Sequence, residues 1–88
     1  MPEKIKLFLS NHCQPCLDAR AIIASGKVTV DGVESRVEVV DADSEEGLKE
    51  AILNNLDRVP SAVTSTGKHC RIDIDREKNT LIVECEND

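Results

Sequence analysis

Two cysteines three positions apart stand in the run His12-Cys13-Gln14-Pro15-Cys16, a spacing that suits thiol–disulfide exchange. That chemistry needs a helix to begin at the first cysteine. There the unpaired backbone N–H groups and the helix dipole favour a thiolate over a thiol. Cys16 then lies one helical turn on and faces back toward Cys13, close enough to close an intramolecular disulfide, while Pro15 stiffens the first turn. Cys13 would attack a substrate disulfide to give a mixed disulfide, and Cys16 would attack the Cys13 sulfur and free the reduced substrate. Gln14 and Pro15 tune the couple from between the two thiols. His12 is a type that moves protons near neutral pH or stabilises a thiolate, and equally a type found facing solvent in a turn.

The elements that must hold this pair can be read on either side of it. Residues 4–10 predict a strand whose consecutive apolar Leu7, Phe8 and Leu9 suit burial on both faces. Ser10-Asn11-His12 is a turn, and the helix fits Gln14 to about Ser25, with Gly26 where a cap glycine belongs. Cys16, Ala19 and Ile23 share one face of it, with Ile22 flanking. Residues 27–30 and 33–41 are β-like runs split by Asp31-Gly32, a hairpin signal; 28–34 fits either a hairpin arm or a loop insertion, and 36–41 is the strand that follows the helix. Asp43 and Glu46 have capping-box spacing before a second helix over about 44–56, where Leu48, Ala51, Ile52 and Leu56 form the apolar stripe and Glu45 can pair with Lys49. Strands follow over 61–65, 69–75 and 80–86. The order is β-α-β-α-β-β with an additional strand.

Cys70 and Cys85 fall in the last two strands. If residues 76–79 form the loop, Asp75 opposes Thr80, Arg71 faces Glu84, and Cys70 lies opposite Cys85. Their parity with Ile72, Ile74, Leu81 and Val83 favours two free thiols packed as small hydrophobes. A disulfide is conceivable if the Cβ atoms come within about 3.8 Å, and it would contribute roughly 3 kcal/mol through loop closure.

The whole sequence bounds the function. Eighty-eight residues make one domain, 1–88, whose core rests on aliphatic side chains because Phe8 is the single aromatic. Seventeen acidic against eleven basic residues leave a net charge of −6, which argues against nucleic acid and anionic membranes as partners. No apolar run has signal-peptide or membrane-spanning length, so the expected setting is cytoplasmic, and four cysteines there point to redox or metal chemistry.

With the Cys13-Gln14-Pro15-Cys16 motif, the βαβ–ββ order and Val59-Pro60-Ser61 ahead of a strand, residues 4–75 resemble the thioredoxin/glutaredoxin superfamily. The resemblance implies an α/β thioredoxin-like fold with a mixed central sheet, an extra C-terminal strand standing in place of the usual C-terminal helix. It also implies a cis Pro60 lying against the cysteines, with the backbone of Val59 pairing with extended substrate. The implied activity is reduction of protein disulfides by a monomer recharged by a reductase or small thiol, with no cofactor and no metal beyond the Cys13–Cys16 couple itself. Three positions depart from the family. His12 stands where thioredoxins carry tryptophan, Leu7 where they carry an acidic residue, and Gly67 alone where glutaredoxins have a glycine pair, so glutathione use is not implied.

Two other functions fit the residues. One is a zinc module using Cys13 and Cys16 with Cys70, Cys85 or a histidine, although a second close cysteine pair is missing. The other is a partner-binding scaffold without turnover.

Overall fold

The computed structural model describes residues 4–85. Strand β1 (Ile5–Leu9) leads through a turn to helix α1 (Gln14–Ser25), for which Cys13 is the N-cap and Pro15 lies in the first turn. Gly26 ends α1 by donating to Ile22 O at 2.6 Å. A Cβ at Gly26 would collide with the backbone carbonyl of Asn79, so the close approach of the helix end to that residue requires glycine. Strands β2 (Lys27–Val30) and β3 (Val33–Glu34) form the hairpin that Asp31-Gly32 signals, with φ of 51° and 86° at the two turn residues. Then come β4 (Glu38–Asp41), helix α2 (Glu45–Leu53), β5 (Ser61–Thr64), β6 (His69–Asp75) and β7 (Thr80–Cys85). The expected final strand reached residue 86, which lies outside the described residues.

The expected thioredoxin-like β-α-β-α-β-β architecture is not what forms. Among the described residues, all seven strands join one mixed half-barrel sheet in the order β3-β2-β7-β6-β5-β1-β4, and only two short helices, of 12 and 9 residues, accompany it. The difference arises after α1. The chain does not return directly beside β1; Lys27–Val30 instead pairs in parallel with β7, from Lys27↔Thr80 to Val30↔Val83. The C-terminal strand is therefore interior, held between β2 and β6, and is not a substitute for a helix at the rim. On the other side, β1 pairs in parallel with β4 and antiparallel with β5.

Each sheet face has its own core. Against α1 lie Ile5, Leu7, Leu9, Ala62, Val28, Leu81 and Val83, closed by Cys16, Ala19 and Ile22 from the helix. Ile22, rather than Ile23, is the fully packed isoleucine. Against α2 lie Phe8 and Val63 with Ala51. The second helix departs from expectation in two respects. Its N-cap is Ser44, whose hydroxyl accepts from Gly47 N, so Asp43 and Glu46 form no capping box. Of the expected apolar stripe, Ala51 is buried and Leu56 half-buried, whereas Leu48 and Ile52 are exposed, because only β1, β4 and β5 present a surface to this short helix. Glu45 and Lys49 do pair, at 3.8 Å on the exposed side.

The β6–β7 register is the one counted from the sequence, with Asp75↔Thr80, Arg71↔Glu84 and Cys70↔Cys85. The two cysteines are not free thiols: they form a disulfide that closes a sequence separation of 15. No helix among the described residues is long and apolar enough to cross a membrane.

Candidate active site

Cys13 and Cys16 are free thiols at the junction of β1 and α1. The N-cap position of Cys13 directs its sulfur at the first turn, where it accepts from Cys16 N at 3.3 Å. The Cys13 thiol also reaches the carbonyl of Val59 at 3.7 Å. The Val59–Pro60 peptide is cis, and both residues are half-buried beside the cysteine pair. Helix α1 and the segment leading into β5 thus meet at Cys13, where the resemblance implied Pro60 would lie.

The two thiols differ sharply in environment. Cys13 is partly exposed; Cys16 is fully buried in the core beneath it. Burial, and then the hydrogen bond with Cys13, push the Cys16 thiol from an ordinary 9.0 up to about 11. A backbone hydrogen bond from Ser10 and the charge of Arg20 oppose that rise. Arg20 stands one turn beyond Cys16, and its Nε is buried without a hydrogen-bond partner among the described residues.

The turn that presents Cys13 is fastened from a distance. Asp43, in the β4–α2 connection, accepts from Ser10 Oγ at 2.9 Å and from Asn11 N at 2.8 Å. Ser10 Oγ in turn accepts from His12 N at 3.1 Å. These bonds hold the Asp43 carboxyl below its usual range, with the Asn11 amide as the leading cause. Sequence reading missed Asp43 in this role. Its spacing from Glu46 makes it look like a helix cap, and nothing local announces a partner some thirty residues earlier.

The remaining site residues are placed as follows. His12 is exposed, and its ring acts on Asp43 electrostatically with no hydrogen bond to the Cys13 sulfur. Gln14 is exposed and donates to Asp18 at 3.1 Å. Asp18 also accepts from Arg76 at 2.9 Å, tying α1 to the β6–β7 turn. His69 is exposed and lies 2.8 Å from Asn54 O, so it ties β6 to the end of α2. Cys70 and Cys85 are spent on each other, and no three His, Cys, Asp or Glu side chains among the described residues are grouped to hold a metal. The zinc alternative therefore loses the two cysteines it would have drawn from the strands.

Comparison of the chain with protein-family models, curated proteins and solved structures gives no match. What the site does must be argued from its own chemistry.

Proposed function

We propose that the chain is a dithiol–disulfide oxidoreductase that reduces protein disulfides, with Cys13 as nucleophile and Cys16 as resolving thiol. The observation that carries this reading is the asymmetry of the pair. One sulfur is reachable and receives an amide hydrogen at a helix N-terminus; the other is buried one turn away. A thiolate at Cys13 would be stabilised by that amide and by the orphan N–H groups of the first turn. Burial keeps Cys16 from competing for bulky substrates while leaving it beside the sulfur it must attack.

In the proposed cycle Cys13 attacks the substrate disulfide, and the substrate's leaving sulfur departs as a thiolate. Cys16 then loses its proton, attacks the Cys13 sulfur and releases the second substrate sulfur, which leaves Cys13–Cys16 oxidised. A reductase or a small thiol restores the dithiol. Val59 and Pro60 flank the Cys13 sulfur and are the surface against which an extended substrate segment would lie. His12, Gln14 and Pro15 flank the cysteines in sequence and are the positions from which the couple would be tuned. The working setting proposed is the cytoplasm, where thiols are held reduced.

Turnover of a protein disulfide with dithiothreitol as reductant tests the assignment. Cys13→Ser should abolish it, and Cys16→Ser, pre-reduced and freed of dithiothreitol, should stop after one mixed disulfide that is retained on the protein. An unchanged rate in Cys13→Ser would show that the pair is not the working group.

A further inference from the structure

The Cys70–Cys85 disulfide has no part in the cycle above, yet it shares the sheet face of the dithiol. A single rung crosses four strands, Leu7↔Ala62↔Cys70↔Cys85. Residues directly opposite on neighbouring strands project to one face, and Leu7 and Ala62 belong to the core that Cys16 closes. Cys13, Cys70 and Cys85 all pack at the margin of that same core.

A surface groove also runs from Pro60, next to the residue that Cys13 touches, to the disulfide. The β5–β6 ladder holds at only two pairs, Ala62↔Cys70 and Val63↔His69. Beyond it a groove of about 300 Å³ runs from Pro60 and Ser61 to Cys70 and Arg71. Its Pro60 end adjoins Val59, whose carbonyl receives the Cys13 thiol. At its other end a second open groove, of about 410 Å³, exposes Cys70 and Cys85 together. The disulfide is thus half-exposed where two grooves meet. The hairpin it crosses is also held by six registered pairs, so opening the bond leaves β6 and β7 paired. In a reducing compartment a bond so placed would be exchangeable and not a permanent staple.

We propose that Cys70–Cys85 is a second thiol–disulfide centre that exchanges electrons with the Cys13–Cys16 dithiol of this chain, within one molecule or between two copies. The proposal rests on the dithiol reading above. The Cys13 thiolate attacks the sulfur of Cys70 or Cys85; a bond to Cys13 forms, the Cys70–Cys85 bond breaks, and the displaced sulfur leaves as a thiolate. Cys16 gives its proton to solvent and attacks the Cys13 sulfur. The Cys13–Cys16 bond forms, the mixed disulfide breaks, and the released thiolates take up protons. Two electrons have passed from one pair to the other with no further oxidant, and the reverse sequence would return them.

Two anaerobic experiments test it. In the first, Cys70→Ser/Cys85→Ser protein, reduced and freed of reductant, is mixed with Cys13→Ser/Cys16→Ser protein carrying the closed disulfide. Differential alkylation and mass spectrometry should find new thiols at Cys70 and Cys85 and matching losses at Cys13 and Cys16. In the second, Cys16→Ser protein is reduced and then oxidised with diamide, which should leave a peptide linking Cys13 to Cys70 or Cys85. A monomeric product marks exchange within one molecule, and a covalent dimer marks exchange between copies. The proposal is overturned if neither product forms while the same dithiol protein still reduces an aromatic disulfide. If that reaction also fails, the dithiol reading falls and this inference with it.

Discussion

The burial of Cys16 makes the second chemical step the pH-sensitive one. A thiol raised to about 11 is ionised to only about one part in 10⁴ at pH 7. Each unit of pH below that value should therefore change the rate of resolution about tenfold. When Cys13 is tied into a mixed disulfide, its hydrogen bond to Cys16 is lost, but burial, the leading cause, remains. The log of the resolution rate should then rise with unit slope between pH 7 and pH 9, about a hundredfold in all. The assay is to load Cys13 with a chromogenic aromatic thiol as mixed disulfide and follow release of the chromophore by stopped flow. Arg20→Gln sharpens the test. Its charge favours the Cys16 thiolate, so removing it should slow release at pH 7 and move the inflection upward, with no change in how fast Cys13 is first loaded. A resolution rate that levels off below pH 9 would refute the claim that burial controls Cys16.

Four further outcomes follow from the same structure. Cys16 is more protonated folded than unfolded between 9.0 and about 11, so its contribution to stability is complete below pH 9 and is lost as pH rises toward 11. That loss, on the order of 2–3 kcal/mol, should disappear from alkaline denaturation curves of Cys16→Ala. Asp43 has the opposite sign: its depressed carboxyl stabilises above the ordinary aspartate range and ceases to do so as pH falls through its folded value. The melting temperatures of wild type and Asp43→Asn should accordingly differ at neutral pH and converge in acid. Opening the 15-residue loop with Cys70→Ser/Cys85→Ser should cost about 3 kcal/mol in urea unfolding under oxidising conditions, and nothing when both proteins are reduced. Gly47→Ala, a change that elsewhere in a helix would stabilise by about 1 kcal/mol, should lower the melting temperature here, because the added Cβ meets the Asp41 carbonyl.

Local signals were legible in the sequence. The extents of β1, α1 and β6, the Asp31-Gly32 turn and the Cys70↔Cys85 register each depend on periodicity or turn chemistry within a dozen residues or so. Two features were not legible. Pairing of β2 with β7 depends on residues some fifty positions apart that carry no mutual mark, since Val28 and Leu81 suit any buried strand. That one contact converts the expected architecture into the seven-stranded sheet. The disulfide was equally hidden, because two cysteines of apolar parity read the same whether free or bonded. At the site itself, Cys13, Cys16, Val59 and Pro60 were found by spacing and resemblance, and the structure brings them together. Asp43 and Arg20 were not, because their influence depends on how a connection and a helix face lie against a turn.

The interior position of β7 has a consequence for how the chain is made. During synthesis the β2–β3 hairpin emerges early and keeps one flank of unpaired backbone until residues 80–85 follow it. Folding N-terminal elements first cannot close this sheet; the strand made last among the described residues is the one that joins its two halves. Arrest or proteolysis before residue 80 would leave β2 and β6 as two open edges, which are templates for pairing with other chains. Residues 1–79 carry fourteen acidic against eleven basic side chains, a net −3, and that modest like charge opposes the association of such unfinished chains until the central strand arrives.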